Sequence, residues 1–470
     1  MDRRNYALIL ILLLAASPAI YSAYHAWAVP APSIGATVEP GSLAQGCSYV
    51  VYIDVSSILA KNCKTGVNDY SGTVAATVIN NAISALPVTG GRVILKDGSY
   101  SITTTITLDD HVALQGEVTG SSEVGGVKLI LGAAVDLITL TGGVGSHKVF
   151  PRIENLYLEG NGRAYAGKHA INMAKVSFPL IRDLRIQNFD GSGIYWDSIF
   201  NGTIENVVID NCGQNVGGTN YSIFLGGSEG NADVRLHNVA QSSFKNIGLY
   251  ITGSSADIHV SNYADDGAIL VADADYTHIY LDAGTRRIYF SNLDLRTLDT
   301  SINGINDLSD YAEYANVVFE NAQGTLFNRG GAGISLLTNV LFKGVSAGSP
   351  AGNGFYCPLG TTIVYGFAYT DVTTPFFTNT GAGYLRVQGI TPAQATDTVT
   401  AGASIWTYTN TRGFDETLVL TTVNGISAIS YRGTAGFPIT VKAYPFYLAP
   451  GDTIAVTWAT TAPIFTRYPH

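Results

Sequence analysis

The sequence has little charge: Asp, Glu, Lys and Arg together make up 13% of its 470 residues, and the formal net charge is −10. No basic run follows Arg4. Because phosphate binding requires clustered Lys and Arg, this composition argues against nucleic acid as a partner. Low charge together with 52 Gly and 27 Tyr is typical of a secreted, β-rich protein rather than a cytosolic enzyme.

Cysteine is also scarce, and the four residues follow no zinc-binding spacing. Cys47 and Cys63 lie close enough in sequence to form a disulfide near the N-terminus. Cys212 and Cys357 stand alone, which favours a role as buried small hydrophobic residues. The glycine-rich stretch 213–230 lacks the Lys-Ser or Lys-Thr pair of a phosphate-binding loop, so we interpret it as a long surface loop.

The N-terminus carries an export signal. Two arginines, Arg3 and Arg4, precede an uninterrupted apolar run from Ala7 to Ala16, and Ala26-Trp-Ala28 is a suitable cleavage site. The alternative is an uncleaved membrane anchor through residues 7–28. Either interpretation predicts an extracellular, cell-surface or virion-surface location.

A short pattern recurs through the middle of the chain: an apolar or aromatic residue, a spacer, Asn or Asp, then alternating apolar positions. Ile204-Glu-Asn-Val-Val-Ile-Asp-Asn211 is one copy. The copies align on Asn155, Asp183, Asn206, Asn246, Asn292, Asn316 and Asn339. This spacing predicts stacked coils of about 23 residues, and the turn-rich filler between short strands favours a right-handed parallel β-helix. We expect the Asn side chains to form a structural ladder.

Residues before the repeats predict a cap. Val74 to Leu86 has apolar residues at helical spacing, follows Ser71-Gly-Thr73 as a capping segment and stops at Pro87. Strands are expected within Gly90–Tyr100, at Ile102–Leu108 and at His111–Gly116. An amphipathic helix at this point would cover the open apolar end of the β-helix.

This order resembles the N-terminal segment of the pectate-lyase-like superfamily, which includes bacteriophage tailspikes. The matching features are Asp69-Tyr, the helix, Gly-Gly-x-Val-x-Leu-x-x-Gly-x-Tyr100 and Val112-x-Leu-x-Gly116, and the repeats fit more loosely as far as Ile390. The resemblance implies a right-handed β-helix that handles acidic or neutral polysaccharides in a groove along its side, often as a homotrimer in viral members. It does not fix the chemistry, because one fold hosts many activities.

The C-terminal residues follow a different pattern. Separate strands after Ala401 and a type I′ hairpin signal at Val423-Asn-Gly-Ile426 predict a small antiparallel β-sandwich that resembles phage tail and spike modules. A carbohydrate-binding module is the alternative. The predicted all-β organisation is a signal or anchor (1–28), an extension (29–68), a β-helix with an N-terminal capping helix (69–390), a linker (391–400) and the sandwich (401–470).

The strongest acidic stretch supplies the candidate catalytic residues, which are Asp265, Asp266, Asp273, Asp275 and Arg286. Paired carboxyls could act in glycoside hydrolysis, whereas acids holding Ca²⁺ with an arginine base could act in a polysaccharide lyase. The alternative is that these acids only cap turns.

Two function classes stay open. In the first, the protein binds polysaccharide or a surface glycan along its side and cleaves it as a lyase or hydrolase, or only binds it. In the second, it is a non-catalytic structural or adhesive spike.

Overall fold

The computed structural model describes residues 46–117, 126–214, 221–244, 246–267, 277–296, 303–320, 325–343, 355–356, 358–370, 377–378, 384–392, 397–400, 405–409, 416–420, 426–431, 434–435, 444–448, 452–458 and 464–469. The predicted signal or anchor, residues 1–28, lies outside these ranges. Within them, no helix is both long enough and apolar enough to cross a membrane.

The described residues form one helix and a long series of strands. In chain order these are β1 (Tyr49–Asp54), β2 (Ser57–Asn62), β3 (Asn68–Gly72), α1 (Ala75–Ser84), β4 (Gly91–Leu95), β5 (Gly98–Ile102), β6 (Ile106–Thr107), β7 (Val112–Gly116), β8 (Val127–Leu131), β9 (Ile138–Thr141), β10 (Lys148–Val149), β11 (Arg152–Glu159), β12 (Ile171–Ser177), β13 (Leu180–Gln187), β14 (Ile194–Phe200), β15 (Thr203–Asp210), β16 (Ile223–Gly226), β17 (Arg235–Ser242), β18 (Ile247–Ile251) and β19 (Ala256–Asp265). The series continues with β20 (Thr277–Leu281), β21 (Arg286–Arg296), β22 (Asn303–Asp307), β23 (Tyr311–Glu320), β24 (Phe327–Arg329), β25 (Ile334–Lys343), β26 (Phe355–Tyr356), β27 (Thr361–Thr370), β28 (Phe377–Thr378), β29 (Tyr384–Pro392), β30 (Asp397–Thr400), β31 (Ile405–Thr409), β32 (Glu416–Leu420), β33 (Ile426–Tyr431), β34 (Thr434–Ala435), β35 (Tyr444–Leu448), β36 (Thr453–Trp458) and β37 (Ile464–Pro469).

Two parallel sheets build the rod. Sheet one stacks β4, β7, β11, β13, β15, β17, β19, β21, β23, β25, β27 and β29. Sheet two stacks β6, β9, β12, β14, β16, β18, β20, β22, β24, β26 and β28. From β11 to β29, successive strands alternate between the sheets. Each coil therefore adds one strand to each sheet, and the predicted right-handed parallel β-helix is confirmed.

A column of Asn and Asp residues bends every strand of the central part of sheet one. Its members have φ between 51° and 56° and are Asn155, Asp183, Asn206, Asn238, Asn262, Asn292, Asn316 and Asn339. Asn tolerates this left-handed conformation better than most residues. The bend also interrupts the alternation of side chains along the strand. Phe290 and Leu293 lie on either side of Asn292, three residues apart, and both are buried in the core.

The predicted Asn ladder is confirmed, with one error in its membership. Side-chain amides donate to the residue one coil earlier, as from Asn292 to Asn262 at 2.9 Å and from Asn316 to Asn292 at 2.9 Å. The alignment on Asn246 was wrong. Asn246 precedes β18 in sheet two, and the neighbouring coils place Asn238 and Asn262 in the column instead.

We expect Asn316→Ala to lower the free energy of unfolding by about 1–2 kcal/mol, because alanine is strained at φ 56° and cannot make the ladder bonds. Asn316→Gly should cost less, since glycine relieves the strain, and the chain itself uses Gly366 (φ 67°) at the next ladder position after Asn339. Denaturant unfolding measures both variants. Equal losses would contradict the contribution of backbone strain.

The N-terminal cap is present as predicted, with two local differences. Helix α1 buries Ala76, Ile79 and Ile83 against the core. Its N-cap residue is Val74, which makes no side-chain capping bond, so the predicted cap from Ser71-Gly-Thr73 is not formed. The strand expected at Ile102–Leu108 is broken, because β5 ends at Ile102 and β6 begins at Ile106. Cys47 and Cys63 form a disulfide beside β1 and β2.

The C-terminal strands form two four-stranded antiparallel sheets, ordered β30-β37-β32-β35 and β31-β36-β33-β34. The strands that flank Asn424-Gly425, β32 and β33, lie in different sheets. The predicted type I′ hairpin is therefore wrong, because its two strands would have to pair with each other and β32 and β33 do not. A sandwich made of these sheets stays a prediction.

Candidate functional site

The candidate catalytic acids do not form one surface site. Asp265 ends β19 with a fully buried side chain. Its carboxylate accepts hydrogen bonds from Gln241 Nε2 (2.5 Å) and the Gly267 amide (3.0 Å) and lies 3.0 Å from His278 Nδ1, without hydrogen-bond geometry to that imidazole. Asp265 thus belongs to a buried polar cluster and does not face the solvent where a glycan would bind.

The other candidates are dispersed. Arg286 pairs with Ala256 at the start of β19, whereas Asp265 pairs with Leu295 at its end, so a full strand length separates them. Asp273 and Asp275 lie outside the described residues. Asp266 is on the surface, with a side-chain exposure of 64%. Of these candidates, Asp266 is therefore the described carboxylate that a glycan could reach.

Asp266 belongs instead to a cluster around Arg296, named here the Arg296 cluster. The guanidinium lies 3.6 Å from Asp266, 2.7 Å from Asp294 and 3.4 Å from Glu320. Asp294, Arg296 and Glu320 project from the outer face of sheet one, beyond the Asn column, and Asp266 directly follows the end of β19. In the part of the chain that the structure describes, no group of three or more His, Cys, Asp or Glu side chains could hold a metal ion. The Ca²⁺ that a lyase would use therefore has no ligand set among these residues.

A groove of about 350 Å³ lies on the same strands, on the other side of the Asn column. It crosses β19, β21, β23 and β25, and so runs along the rod. Its polar lining consists of His259, Ser261, Tyr289, Ser291, Glu313 and Thr338. We call it the sheet-one groove.

The register of the coils creates this groove. Outward positions three residues before the Asn column carry larger side chains, His259, Tyr289 and Glu313, which are neighbours in adjacent strands. Positions one residue before the column carry the small side chains Ser261, Ser291 and Ala315. The row of small side chains beside the row of large ones leaves a depression. Because each coil repeats this arrangement, the depression continues from strand to strand as a groove.

Two contacts order the large side chains. The His259 and Tyr289 rings stack with centroids 4.8 Å apart and planes 17° apart. Tyr311 donates its hydroxyl to the Glu313 carboxylate, and this bond raises the pKa of Tyr311 to about 12. Tyr311 consequently stays protonated, and a free lone pair of Glu313 can accept a hydrogen bond from a ligand.

His259, Tyr289 and Glu313 are not among the candidate residues that the sequence predicts. These residues are 24 to 30 positions apart and carry no local motif. When the repeats are aligned on the Asn column, His259, Tyr289 and Glu313 all lie three residues before its members. This alignment requires Asn262 as a ladder member, and the repeat pattern in the sequence selects Asn246 instead.

The sequence matches no protein-family model and no curated protein. Several solved structures resemble the chain, among them the following three. The surface protein and adhesin PfbA of Streptococcus pneumoniae has 11% identity and a TM-score of 0.49, over 68% of this chain and 93% of that one. ORF18 of Geobacillus virus E2 has 12% identity and a TM-score of 0.43 (84% and 73%), and an Acinetobacter phage tailspike protein has 9% identity and a TM-score of 0.41 (85% and 84%). By its own stacked parallel strands, this chain is a protein of the right-handed parallel β-helix fold.

Proposed function

We propose that this protein binds a neutral polysaccharide lengthwise in the sheet-one groove. The observation that carries the proposal is the groove itself, which runs along the rod and combines hydroxyls, an imidazole, a carboxylate and a stacked aromatic ring. Sugars present hydroxyl groups and apolar ring faces, and this lining offers hydrogen bonds and a ring surface together.

The charge of the groove supports a neutral glycan over an acidic one. Its described lining includes the carboxylate of Glu313 and no Lys or Arg. A uronic-acid polymer would bring like charge against Glu313 with no compensating cation, which disfavours binding. The net charge of −10 acts in the same direction.

An extracellular or virion-surface location is part of the proposal. The Cys47–Cys63 disulfide supports it, because such bonds persist mainly in oxidising environments. The low charge content and the predicted export signal at the N-terminus agree with this location.

Cleavage of the bound glycan at the Arg296 cluster is a second candidate function. Asp294 and Glu320 project from β21 and β23, which also line the groove, and Asp266 directly follows β19, a third strand of the groove. Two carboxyls on one face could serve as acid and base for hydrolysis. New reducing ends from a polysaccharide panel, lost in Asp266→Asn, would support this candidate, and ultraviolet absorbance from unsaturated products would indicate a lyase.

Binding is tested by titrating the protein with neutral and acidic polysaccharides. We expect retention of a neutral polymer, and Tyr289→Ala should raise its Kd roughly tenfold, equivalent to about 1.4 kcal/mol, through loss of the ring surface. Tyr280→Ala is the matched control, because Tyr280 is a partly exposed tyrosine on sheet two. Retention of acidic polymers alone, or equal losses in both variants, would argue against the groove as the binding site.

A further inference from the structure

A Ser-His-Glu arrangement lies on the outer face of sheet two, away from the sheet-one groove. The His147 imidazole stands between two partners: Ser177 Oγ is 3.4 Å from its Nδ1, and Glu229 Oε2 is 3.1 Å from its Nε2. Ser177 and Glu229 lie 30 and 82 positions from His147 in the sequence, and the stacking of the coils brings them to it.

One tautomer satisfies both contacts. Neutral His147 with its proton on Nε2 donates to Glu229, which leaves Nδ1 as the acceptor for the Ser177 hydroxyl. A hydroxyl next to a base, with the base oriented by a carboxylate, is the arrangement that activates a serine nucleophile, and such contacts are commonly loose before substrate binds. The geometry therefore fits nucleophilic catalysis.

Neighbouring residues fix the arrangement while leaving it open to solvent. The Glu229 amide donates to Ser198 Oγ at 3.2 Å, and the His147 ring packs on Phe200 with centroids 5.1 Å apart. The side chains of His147 and Glu229 are 15% and 31% exposed. Lys175 Nζ lies 3.9 Å from Glu229 Oε1 and brings a positive charge to the cluster.

The chain after Ser177 is unusual. Phe178 has φ 59° and is 43% exposed, and Phe150, one coil earlier, has φ 55° and is 46% exposed. At the same corner, later coils use Asn201 and Asp233, residues that tolerate this conformation well. The two phenyl rings stack at 4.7 Å and form an exposed apolar ledge beside the serine. Bulky residues in a strained backbone at the surface are a mark of functional sites.

We propose that Ser177, His147 and Glu229 form a serine-nucleophile site that hydrolyses carboxylic esters with a short acyl group. Ser177 Oγ attacks the carbonyl carbon while its proton passes to His147 Nδ1. The bond to the alcohol then breaks, and the alcohol leaves with that proton. Water, deprotonated by His147, attacks the acyl-enzyme, and the proton returns to Ser177 as the acid departs.

Each neighbour has a role in this scheme. Phe150 and Phe178 hold the apolar acyl group, and Lys175 lies near the carboxylate of Glu229. Glu229 is a positioning residue, since it acts through His147. This inference is independent of the sheet-one groove, so polysaccharide binding and ester hydrolysis can fail separately.

The first experiment treats the purified full chain with a fluorophosphonate probe and maps the adduct by mass spectrometry. We expect stoichiometric labelling of Ser177. Ser261 is the internal comparator: its Oγ lies 2.9 Å from His237 Nδ1, but no described carboxylate contacts that histidine. Labelling of Ser177 no greater than that of Ser261 would overturn the proposal.

The second experiment measures hydrolysis of p-nitrophenyl acetate. Ser177→Ala and His147→Gln should each lower kcat by about 100-fold or more, while the exposed Ser99→Ala on β5 should leave it unchanged. Glu229→Gln should lower kcat with KM unchanged, because Glu229 acts through His147, and Glu229→Asp should restore part of the lost kcat. Circular dichroism checks that each variant is folded. Turnover by folded Ser177→Ala equal to that of the native chain would refute the site.

Discussion

Arg329→Met should lower the free energy of unfolding by about 3–5 kcal/mol, because it leaves the carboxylate of Asp307 buried without its cation. Both side chains have no solvent exposure, and Arg329 Nη1 lies 2.9 Å from Asp307 Oδ1. They face each other across β24 and β22. Arg329 also donates to the backbone carbonyls of Asp307 and Ser309, so its loss frees several buried acceptors.

A network of hydrogen bonds surrounds the carboxylate of Asp307 in the core. Its carboxylate accepts from Ser309 at 2.5 Å, from Ser335 at 2.6 Å and from Tyr314 at 3.1 Å. These donors hold the Asp307 side chain in place in the core. Thermal or denaturant unfolding measures the effect.

Two further variants test the cause. Adding Asp307→Asn to Arg329→Met should recover part of the loss, since a neutral amide is cheaper to bury than an unpaired carboxylate. Arg287→Met, which breaks an exposed pair with Asp257, should have a far smaller effect. Similar losses of unfolding free energy in Arg329→Met and Arg287→Met would show that burial of the ion pair does not determine how much its loss destabilises the protein.

Trp196→Ala should destabilise the protein by about 3–5 kcal/mol through the cavity that it leaves. Trp196 on β14 is fully buried, between Met173 and Leu225 of the adjacent coils. Its ring fills the space beside Gly202, where a Cβ would lie 2.7 Å from the indole. The surrounding strands are tied into two ladders and can relax little, so the cavity should persist.

The adjacent residue supplies the control. Tyr195 faces outward, is partly exposed, and stacks on Phe224 with centroids 4.4 Å apart. Tyr195→Ala should therefore cost at most about 2 kcal/mol. Unfolding of both variants under the same conditions compares the two faces of one strand, and an equal cost at both positions would contradict the inward placement of Trp196.

The fold could be predicted from sequence because it depends on a repeated local pattern. Asn at each bend, alternating apolar residues around it and turn residues between strands are visible in the chain, and stacking follows from the need to bury each coil. The pattern could not identify every ladder member. Asn246 is flanked by the same pattern of apolar and polar residues as a ladder Asn. Only the strand register shows that Asn238 and Asn262 occupy the column.

The sites were less predictable, because each is built from residues in different coils. Asp265 and Asp266 are adjacent in sequence, yet Asp265, the last residue of β19, is buried, whereas Asp266, which follows the strand, is exposed and lies near Arg296. Ser177, His147 and Glu229 share no motif and no regular spacing.

The sequence by itself determined that this protein is a stack of short strands with a ladder of asparagines and an N-terminal capping helix, and it left a Cys47–Cys63 disulfide as an open option. Only the tertiary structure decided which side chains meet: Tyr289 with Glu313 in the groove, Asp307 with Arg329 in the core, and His147 with Ser177 on sheet two. The reason is physical. Periodicity fixes the direction of a side chain within its coil, whereas the lengths of the intervening turns fix which residue lies next to it.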